Sequence, residues 1–277
     1  MEQQKSKTKI LVAIHKADPV YSDNIYTPIH VGKAISKNDL GFQGDDTGDN
    51  ISEKNPMYCE LTAQYWAWKN LKDTTNIGLC HYRRYFKIKY TEDYLESLLQ
   101  KYDIILPEPI YRSYSMEQKI YRAAIEEDVA ILYQVIERLH PKYKKAVLAY
   151  MHGNKDIAFN MFVCSKELFD QFAEWQFSIL FECEKYIRFS GYSRARRILG
   201  HFSEYLLPIY CFHHHLRIKS EELVSFVDDN QLLYSQSCFK KIINTIRYRF
   251  TTPQKRTDWG LSSVIIQGLR SDGIEIK

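Results

Sequence analysis

The sequence lacks the short motifs that mark several large enzyme classes. No GxxxxGKS/T phosphate loop is present, which argues against a P-loop nucleotidase, and no GxGxxG follows the first predicted strand, which leaves a dinucleotide-binding domain with little support. No GxSxG nucleophile elbow occurs, nor any cysteine–histidine spacing of a known type. Hydrolase functions therefore have little support.

Cysteine pairs with metal-ligand spacing are also missing. The six cysteines are far apart in the sequence and none forms a CxxC pair, which argues against a zinc site. Cys80 and Cys164 lie inside apolar runs, as buried free thiols do. We therefore expect free thiols in a reducing cytoplasm.

Long hydrophobic runs and a strong charge of either sign are missing as well. No run approaches the roughly 20 apolar residues of a membrane span. The run from Ile10 to Ile14, after a polar start, is too short for a secretory signal. A net charge of +4 is too mild for a dedicated nucleic-acid binder. With 45% apolar and 26% charged residues, the chain has the composition of an ordinary globular protein.

Short apolar segments alternate along the chain with helical patterns. Strands are predicted at residues 9–14, 77–80, 102–106 and 157–164. Helices are predicted at residues 56–71, 116–139, 166–187 and 200–215, with a short helix capped by Thr91. This alternation predicts an α/β fold with a largely parallel sheet flanked by helices. Residues 36–57 are rich in Gly, Asp and Asn, and we interpret them as a functional loop, with a linker as the alternative.

The most informative segment is IGLCHYRRYF, which begins at Ile77. A short apolar strand is followed directly by His81, Arg83 and Arg84. The carboxyl ends of strands carry the ligand in open α/β sheets, and guanidinium groups offer a planar set of donors to anionic oxygens. The segment therefore predicts a phosphate or diphosphate site. The alternative is that both arginines only extend their charged ends into solvent or pair with surface carboxylates.

The acidic residues and the histidine run give no metal-binding pattern at a strand end. The dense acidic cluster, Asp45 to Asp49, lies in the Gly-rich loop, where we expect Asp45 and Asp46 to be solvated. The adjacent His213, His214 and His215 point in different directions around a helix, which favours packing or surface roles. We therefore expect cationic side chains, rather than a divalent metal, to stabilise charge on a leaving diphosphate.

The C-terminal segment 236–250 has a basic amphipathic pattern. Five apolar residues share one helical face: Phe239, Ile242, Ile243, Ile246 and Phe250. Four cations lie around or opposite that face: Lys240, Lys241, Arg247 and Arg249. Such a helix is a candidate membrane-surface element, although packing of the apolar stripe on the rest of the chain is the favoured alternative.

Five segments together resemble a known family. They are ILVAIHK, GDNISEKNPMYCELTAQYWAWKN, IGLCHYRRYF, FNMFVCSKELFDQFAEWQF and RRILGHFSEYLL, which span roughly residues 9–210. The chain resembles the bacterial polysaccharide glycosyltransferases grouped as domain of unknown function 4422 in capsule and exopolysaccharide gene clusters. The resemblance implies a GT-A-like, Rossmann-like nucleotide-sugar transferase without the usual DxD metal motif. It also implies a GT-A-like domain over residues 1–235, followed by a C-terminal helix and tail over residues 236–277.

The resemblance also implies roles for individual residues. The catalytic set comprises Glu204, Arg83, Arg84 and His81, with the two arginines and His81 facing the diphosphate or sugar. The donor-binding set comprises His15, Lys16, Asp49, Asn50, Ser52, Lys54 and Glu60. The acceptor-binding set comprises Asn160 and His201, and no metal-binding residue is expected.

An inverting transfer needs a base to deprotonate the acceptor hydroxyl, and the sequence offers several carboxylates. The candidates are Glu60, Asp156, Glu182 and Glu204. Glu204 is the first choice, because its expected place near a helix start would stabilise the anion, and Glu60 is the second.

The expected function is transfer of a hexosyl unit, such as galactosyl or galactofuranosyl, from a UDP-sugar to a lipid-linked oligosaccharide. The product would belong to capsule, exopolysaccharide or O-antigen synthesis. We expect no cofactor, no divalent metal and no nucleic-acid partner, and a peripheral place at the cytoplasmic face of the inner membrane. The alternatives are a non-catalytic basic scaffold that binds a membrane or nucleic acid, and a sugar-phosphate transferase or hydrolase that uses the same anion site.

Overall fold

The computed structural model describes residues 7–227, 230–252 and 258–276. Contacts between residues divide these into two units. The first unit comprises the described residues up to Glu108, Ile157–Glu174 and Leu216–Ser235. The second comprises Pro109–Asp156, Trp175–His215 and the described residues from Gln236 onward.

The predicted boundary at residue 235 is also a boundary between segments of the two units. The described residues of the predicted C-terminal segment 236–277 group with Pro109–Asp156 and Trp175–His215 in one unit. The functional labels of the two predicted domains stay predictions.

One large mixed sheet forms the centre of the first unit. Its main path has the order β10-β6-β9-β4-β1-β2-β3, with β5, β11 and β12 joined as an antiparallel extension beside β4. Its strands are β1 Thr8–Ile14, β2 Tyr26–His30, β3 Gln43–Gly44, β4 Asn76–His81, β5 Arg84–Phe86, β6 Ile104–Pro107, β9 Phe162–Ser165, β10 Ile218–Glu221, β11 Leu223–Val227 and β12 Asn230–Tyr234. In the second unit, β7 Ile110–Tyr111 pairs with β8 Lys155–Asp156.

Along the main path, neighbouring strands are parallel except at β9, which runs antiparallel to both β4 and β6. The mostly parallel sheet is thus confirmed, and the reversed β9 is a finding that the sequence did not predict. Every residue of β1 from Ile10 to Ile14 is buried, as expected for a strand covered on both faces by other elements.

The direction of the strands brings several chain segments to one edge of the sheet. The carboxyl ends of β1, β4, β6 and β10 meet there, together with the amino end of the reversed β9. In the register, Ala13 of β1 lies opposite His81 of β4, and Leu79 of β4 lies opposite Phe162 of β9. Residues that follow β1 and β4 therefore lie beside residues that precede β9.

The α-helices of the described residues lie between these strands in the chain and after the last of them. They are α1 Asn55–Tyr58, α2 Leu61–Asn70, α3 Glu92–Lys101, α4 Met116–Ile120, α5 Glu126–Leu139, α6 Lys144–Met151, α7 Lys166–Glu184, α8 Ser193–Arg196, α9 Ile198–His213, α10 Cys238–Thr251 and α11 Ser263–Ser271. Short 3-10 turns lie at Lys33–Ile35, Ser52–Lys54 and Pro141–Tyr143. None of the helices in the described part of the chain is both long and apolar enough to span a membrane.

Two predicted helices are broken. The helix predicted at 56–71 divides at Cys59 into α1 and α2, and the helix predicted at 116–139 divides after Ile120 into α4 and α5. A capping box begins α4, with the Ser115 hydroxyl accepting from the Gln118 amide. Apolar periodicity continues across both breaks, which is why the sequence pattern did not reveal them.

The other predicted helices agree more closely with the structure. Thr91 caps α3 by accepting from the Tyr94 amide. Pro208 lies inside α9 without ending the helix. The strand predicted at 157–164 is shorter, since regular pairing in β9 begins only at Phe162.

Helix α10 contacts its own unit through polar groups. The Asn244 amide donates to the Tyr111 carbonyl at 2.7 Å, and the Thr251 hydroxyl donates to the Ser113 carbonyl at 2.9 Å. The Tyr248 hydroxyl donates to the His152 carbonyl. Four apolar side chains of the predicted stripe are exposed: Phe239, Ile242, Ile246 and Phe250. The favoured expectation that this stripe packs on the rest of the chain is therefore wrong.

Candidate active site

Two histidines and a tyrosine lie together where β1 and β4 end. The Tyr82 amide donates to the Ala13 carbonyl at 3.1 Å, which joins the two strand ends. The Tyr82 ring lies 4.5 Å from the His81 ring and 5.7 Å from the His15 ring. The structure thus places His15 and His81 on one patch, as expected from their positions after neighbouring parallel strands.

The two arginines of the HYRR turn are held in different ways. Arg83 is exposed, and its guanidinium carbon lies 5.1 Å from the centre of the Tyr82 ring. Arg84 is half-buried, and its guanidinium carbon lies 4.1 Å from the centre of the Phe159 ring.

The turn itself is fixed by the backbone. The Arg83 amide donates to His81 Nδ1 at 3.3 Å, and the Arg83 carbonyl accepts from the Phe226 amide at 2.9 Å. In the sheet, Arg84 lies opposite both His81 of β4 and Ser225 of β11. Arg84 is therefore presented from a paired strand, and Arg83 from the hydrogen-bonded turn just before it.

Asn160 and Glu60 meet at the same edge of the sheet. Asn160 lies just before β9 and is buried, and its side-chain amide donates to Glu60 Oε1 at 2.8 Å. Glu60 immediately precedes α2. The expected acceptor-side Asn160 and the second-choice carboxylate Glu60 are therefore direct partners.

Strained backbone conformations flank this hydrogen bond on both sides. Phe159 and Asn160 have φ values of 79° and 50°, and Cys59, next to Glu60, has a φ of 54°. Such values are rare for residues other than glycine and persist only where surrounding contacts hold them. The Cys59 carbonyl is held by the Asn55 amide at 2.8 Å and by the Thr62 hydroxyl at 3.1 Å. Strain of this kind concentrates at functional sites, which supports a functional role for the Asn160–Glu60 pair.

The Gly-rich loop is organised around a buried carboxylate. Asp45 is fully buried and accepts from the Gly32 and Lys33 amides at 2.9 and 3.2 Å, and also from the Ser52 hydroxyl. The expectation of a solvated Asp45 is wrong. Its oxygens accept the hydrogen bonds of loop amides, a role that backbone carbonyls fill in regular secondary structure. Asp46 is exposed, as expected.

The other loop residues expected to bind the donor make contacts within the first unit. The Tyr65 hydroxyl donates to Asp49 at 3.0 Å. Burial of the hydroxyl, and secondly this hydrogen bond, raise the pKa of Tyr65 to about 12. The Asn50 side chain accepts from the Ser52 amide at 3.2 Å. Lys54 is half-buried and ends the 3-10 turn before α1. These contacts order the loop, and the donor-binding roles of Asp49, Asn50, Ser52 and Lys54 stay predictions.

A cavity of about 660 Å³ lies beside the HYRR turn. Its lining includes Lys16, Tyr21, Tyr82, Arg83 and Phe226. Lys16 also forms an ion pair with Asp18 at 3.2 Å. The volume lies within the range of about 300–1,000 Å³ that small-molecule sites occupy. Its cations and aromatic rings suit a ligand that combines phosphate with a flat or ring-shaped group.

A second cavity in the first unit, of about 690 Å³, has the opposite charge character. It lies where β2 and α3 begin, and its lining includes four carboxylates, those of Asp23, Glu92, Asp93 and Glu96, against two lysines, Lys7 and Lys89. Carboxylates repel phosphate, so its slightly larger volume does not make it the anion site.

Glu204 and His201 lie in the second unit, on α9. The first turn of α9 holds no acidic residue, so the helix-start argument for Glu204 is wrong. Glu204 instead lies 3.9 Å from Lys119, which also donates to Asp156 at 2.5 Å. Burial, and then nearby cations led by Arg197, lowers the pKa of His201.

Asp156 and Glu182, the other candidate bases, are bound by cations. Asp156 is buried and accepts from Arg112 at 2.8 Å as well as from Lys119. Glu182 pairs with Arg138 at 2.6 Å and with Lys185 at 2.7 Å, and these bonds lower its pKa. Both carboxylates therefore serve as structural partners within the second unit.

The histidine run at the end of α9 packs on aromatic rings. The His213 ring stacks 3.7 Å from the Tyr143 ring, and His214 Nε2 lies 2.7 Å from the Tyr143 hydroxyl. This agrees with the expected packing role. Within the described part of the chain, no group of three or more His, Cys, Asp or Glu side chains is placed to hold a metal ion.

The geometry can be compared with known proteins. A family model described as "Domain of unknown function (DUF4422)" matches residues 9–215. The chain belongs to this family. Its resemblance through IGLCHYRRYF and the other segments is thereby confirmed. The comparison with curated proteins gives no match.

Among solved structures, this DUF4422 chain is similar to the apo structure of the WbbM bifunctional glycosyltransferase. The two share 30% sequence identity with a TM-score of 0.71, over 83% of this chain and 47% of that chain. The chain thus spans about half the length of that protein. The similarity supports the expected GT-A-like fold class.

Three residues at these sites were missed by the sequence reasoning. The Phe159 ring packs against the Arg84 guanidinium. Tyr82 lies between the ends of β1 and β4, and Lys119 lies near both Glu204 and Asp156. Tyr82 had a usable signal, because it lies inside the HYRR segment. Phe159 and Lys119 had none, since their partners are distant in the sequence.

Proposed function

We propose that this DUF4422 chain is a glycosyltransferase that uses a nucleotide-diphosphate sugar, with UDP-hexoses as the first candidates. The observation that carries the proposal is the cationic edge of the sheet, where Arg83, Arg84 and Lys16 lie at or near the ends of β1 and β4. The similarity to a bifunctional glycosyltransferase supports the same class of reaction.

In the proposed reaction, the bond between the anomeric carbon and the diphosphate oxygen breaks, and its electron pair leaves with the diphosphate. The acceptor hydroxyl oxygen forms the new bond to the anomeric carbon. Arg83 and Arg84 stabilise the negative charge that develops on the leaving diphosphate, which is the largest electrostatic demand of the step. His15 and His81 line the same edge, where they contact the nucleotide or the sugar.

A carboxylate accepts the proton that the acceptor hydroxyl loses if the transfer inverts the anomeric centre. Glu204 and Glu60 are the two candidates that we carry forward, and Asn160 and His201 are proposed to contact the acceptor. Glu204→Gln should lower turnover much more than it changes donor affinity if Glu204 is the base. Equal losses in both would make it a donor-binding residue.

The proposed acceptor is a lipid-linked oligosaccharide, and the proposed place of work is the cytoplasmic face of the inner membrane. The proposed products are capsule, exopolysaccharide or O-antigen chains. We also propose that guanidinium groups take the electrostatic place of a divalent metal. Turnover should then persist in excess EDTA, and complete loss that Mn²⁺ restores would contradict metal independence.

The test is a donor screen with purified protein and a synthetic lipid-diphosphate sugar. We expect one UDP-hexose to yield UDP only when acceptor is present. Release of phosphate or sugar without acceptor would favour the hydrolase alternative. Absence of both turnover and saturable UDP binding would favour the non-catalytic scaffold.

A further inference from the structure

Helix α10 is amphipathic, but its polar side faces its own unit and its apolar side faces outward. At about 100° per residue, Asn244, Tyr248 and Thr251 lie on the side that contacts Tyr111, His152 and Ser113 of its own unit. The apolar stripe of Phe239, Ile242, Ile246 and Phe250 lies about 160° away, on the outer side.

The outer stripe is exposed to an unusual degree. The four side chains are 74%, 59%, 49% and 87% exposed, in chain order. Surface helices normally bury their apolar side and present their polar side to water. A helix that docks through its polar side and exposes contiguous aromatic and aliphatic groups is built to contact something else.

Cations flank this stripe on both sides. Lys240 and Arg247 lie on one flank of α10, Arg249 lies on the other, and all three are exposed. Helix α10 contains no acidic residue. An apolar stripe between cationic flanks matches an anionic bilayer surface, where rings and aliphatic groups enter the acyl boundary and cations meet phosphates. A second copy of this helix would instead bring like charges together.

We infer that the outer face of α10 is a docking surface for an anionic lipid bilayer. The polar contacts of Asn244, Tyr248 and Thr251 hold the helix on its unit while the stripe enters the bilayer, so binding requires no unfolding or detachment. This inference rests on the proposed action at a membrane-held acceptor and adds the surface through which the chain reaches it. Reversible binding is expected, because one short helix does not anchor a protein permanently.

The test is co-sedimentation of the full chain with phosphatidylcholine vesicles, with and without phosphatidylglycerol. The wild type should bind only the vesicles that contain phosphatidylglycerol. The double change Phe239→Ser and Phe250→Ser should lower the partition coefficient by more than about 10-fold. The matched control is Tyr192→Ser with Val264→Ser, because these side chains are 82% and 73% exposed but lie outside α10.

A second pair of variants, which have the same net charge as each other, tests the cations. Lys240→Gln, Arg247→Gln and Arg249→Gln together should weaken binding by roughly 10²-fold, since each cation near an anionic surface contributes about 5-fold. The control triple is Lys142→Gln, Lys145→Gln and Arg270→Gln, which removes three exposed charges from the same unit. Equal effects of both triples would overturn the inference.

Transfer to a water-soluble acceptor separates this inference from the proposed function. Both α10 variants should keep wild-type transfer rates while losing vesicle binding. Vesicle binding without any transferase activity would refute the proposed function and leave the docking surface standing. The docking surface would be overturned if the wild type did not bind anionic vesicles. It would also be overturned if the wild type formed a dimer that the double change Phe239→Ser and Phe250→Ser dissociates.

Discussion

Arg83 and Arg84 reach the same edge of the sheet with different degrees of support. Arg84 lies on the Phe159 ring, and Arg83 is exposed beside Tyr82. We predict that Arg83→Ala and Arg84→Ala each lower turnover by roughly 10²-fold or more, because each change removes a positive charge that would stabilise the leaving diphosphate. Arg84→Lys should restore little, since a lysine lacks the planar group that stacks on the ring.

Steady-state kinetics with a UDP-sugar would measure these effects, and far-ultraviolet circular dichroism would check the fold. The matched control is Arg217→Ala. Arg217 pairs with Asp103 at 2.7 Å where β10 and β6 begin, at the opposite edge of the same sheet. Near wild-type turnover in both site variants would remove the arginines from the mechanism.

The Asn160–Glu60 pair allows two roles of Glu60 to be separated. If Glu60 positions Asn160, Glu60→Gln should keep turnover within about 10-fold of wild type, because the amide oxygen can still accept from Asn160. Glu60→Ala removes that acceptor and should lower both turnover and stability, the latter by about 1–3 kcal/mol. A 10²-fold or larger loss in turnover with Glu60→Gln, measured beside Glu204→Gln, would instead identify Glu60 as the base.

At the residue scale, the sequence predicted the cationic patch because its signal is local. His81, Arg83 and Arg84 follow a short apolar strand directly, and the carboxyl end of a parallel strand fixes where they lie. The pairing of Glu60 with Asn160 could not be predicted, since the two residues are 100 positions apart. Side chains so distant in sequence meet only because β9 runs against its neighbours.

The Gly-rich loop before α1 depends on one buried carboxylate. Asp45 accepts from two backbone amides and from the Ser52 hydroxyl. We predict that Asp45→Ala lowers the free energy of unfolding by about 3 kcal/mol or more, because several buried donors lose a charged acceptor. Urea unfolding would measure the loss. Asp46→Ala, at the exposed neighbour, should change stability by no more than about 0.5 kcal/mol, and a similar cost at both positions would show that Asp45 does not hold the loop.

At the element scale, apolar patterns located most strands and helices but not their interruptions. The break at Cys59 is held by side chains of Asn55 and Thr62, and no apolar periodicity encodes such bonds. The direction of β9 is also absent from its local pattern, because a strand of four residues looks the same in either direction. The amphipathic pattern of α10 was predicted correctly. Only the hydrogen bonds of Asn244 and Tyr248 to the rest of their own unit show that its apolar side faces outward.

Histidines distributed over the whole molecule predict acid sensitivity. Burial lowers the pKa of His30, His140, His201, His213 and His214 below the usual value of about 6.5. The unfolded chain therefore binds more protons than the folded chain just below pH 6.5. The free energy of unfolding consequently decreases as the pH is lowered through this range. Asp128 opposes this trend, because burial raises its pKa to about 6 and the folded chain gains protons there. Five groups against one should leave a net loss.

Urea unfolding at pH 7.5 and 5.5 would measure this loss. We expect a lower midpoint at pH 5.5, and a smaller difference in His201→Gln, which removes one of these five imidazoles. His15→Gln is the control, because His15 is exposed. A midpoint that is the same at both pH values, or higher at pH 5.5, would contradict the prediction.

For the whole molecule, the sequence predicted the fold class but not the division into two units. Each unit is assembled from chain segments that are not consecutive, such as Ile157–Glu174 and Leu216–Ser235 in the first. Local composition changes little at those crossings, so no linker marks them. The candidate residues are divided in the same way, with His81 in the first unit and Glu204 in the second.

The central claim is that the cationic edge of the sheet binds the diphosphate of a nucleotide sugar. Isothermal titration of UDP into the wild type, the double variant Arg83→Ala with Arg84→Ala, and the control Arg217→Ala tests it most directly. We predict saturable binding by the wild type and the control, and at least about 10²-fold weaker binding by a folded double variant. No saturable binding by the wild type, or equal affinity in all three proteins, would contradict the claim.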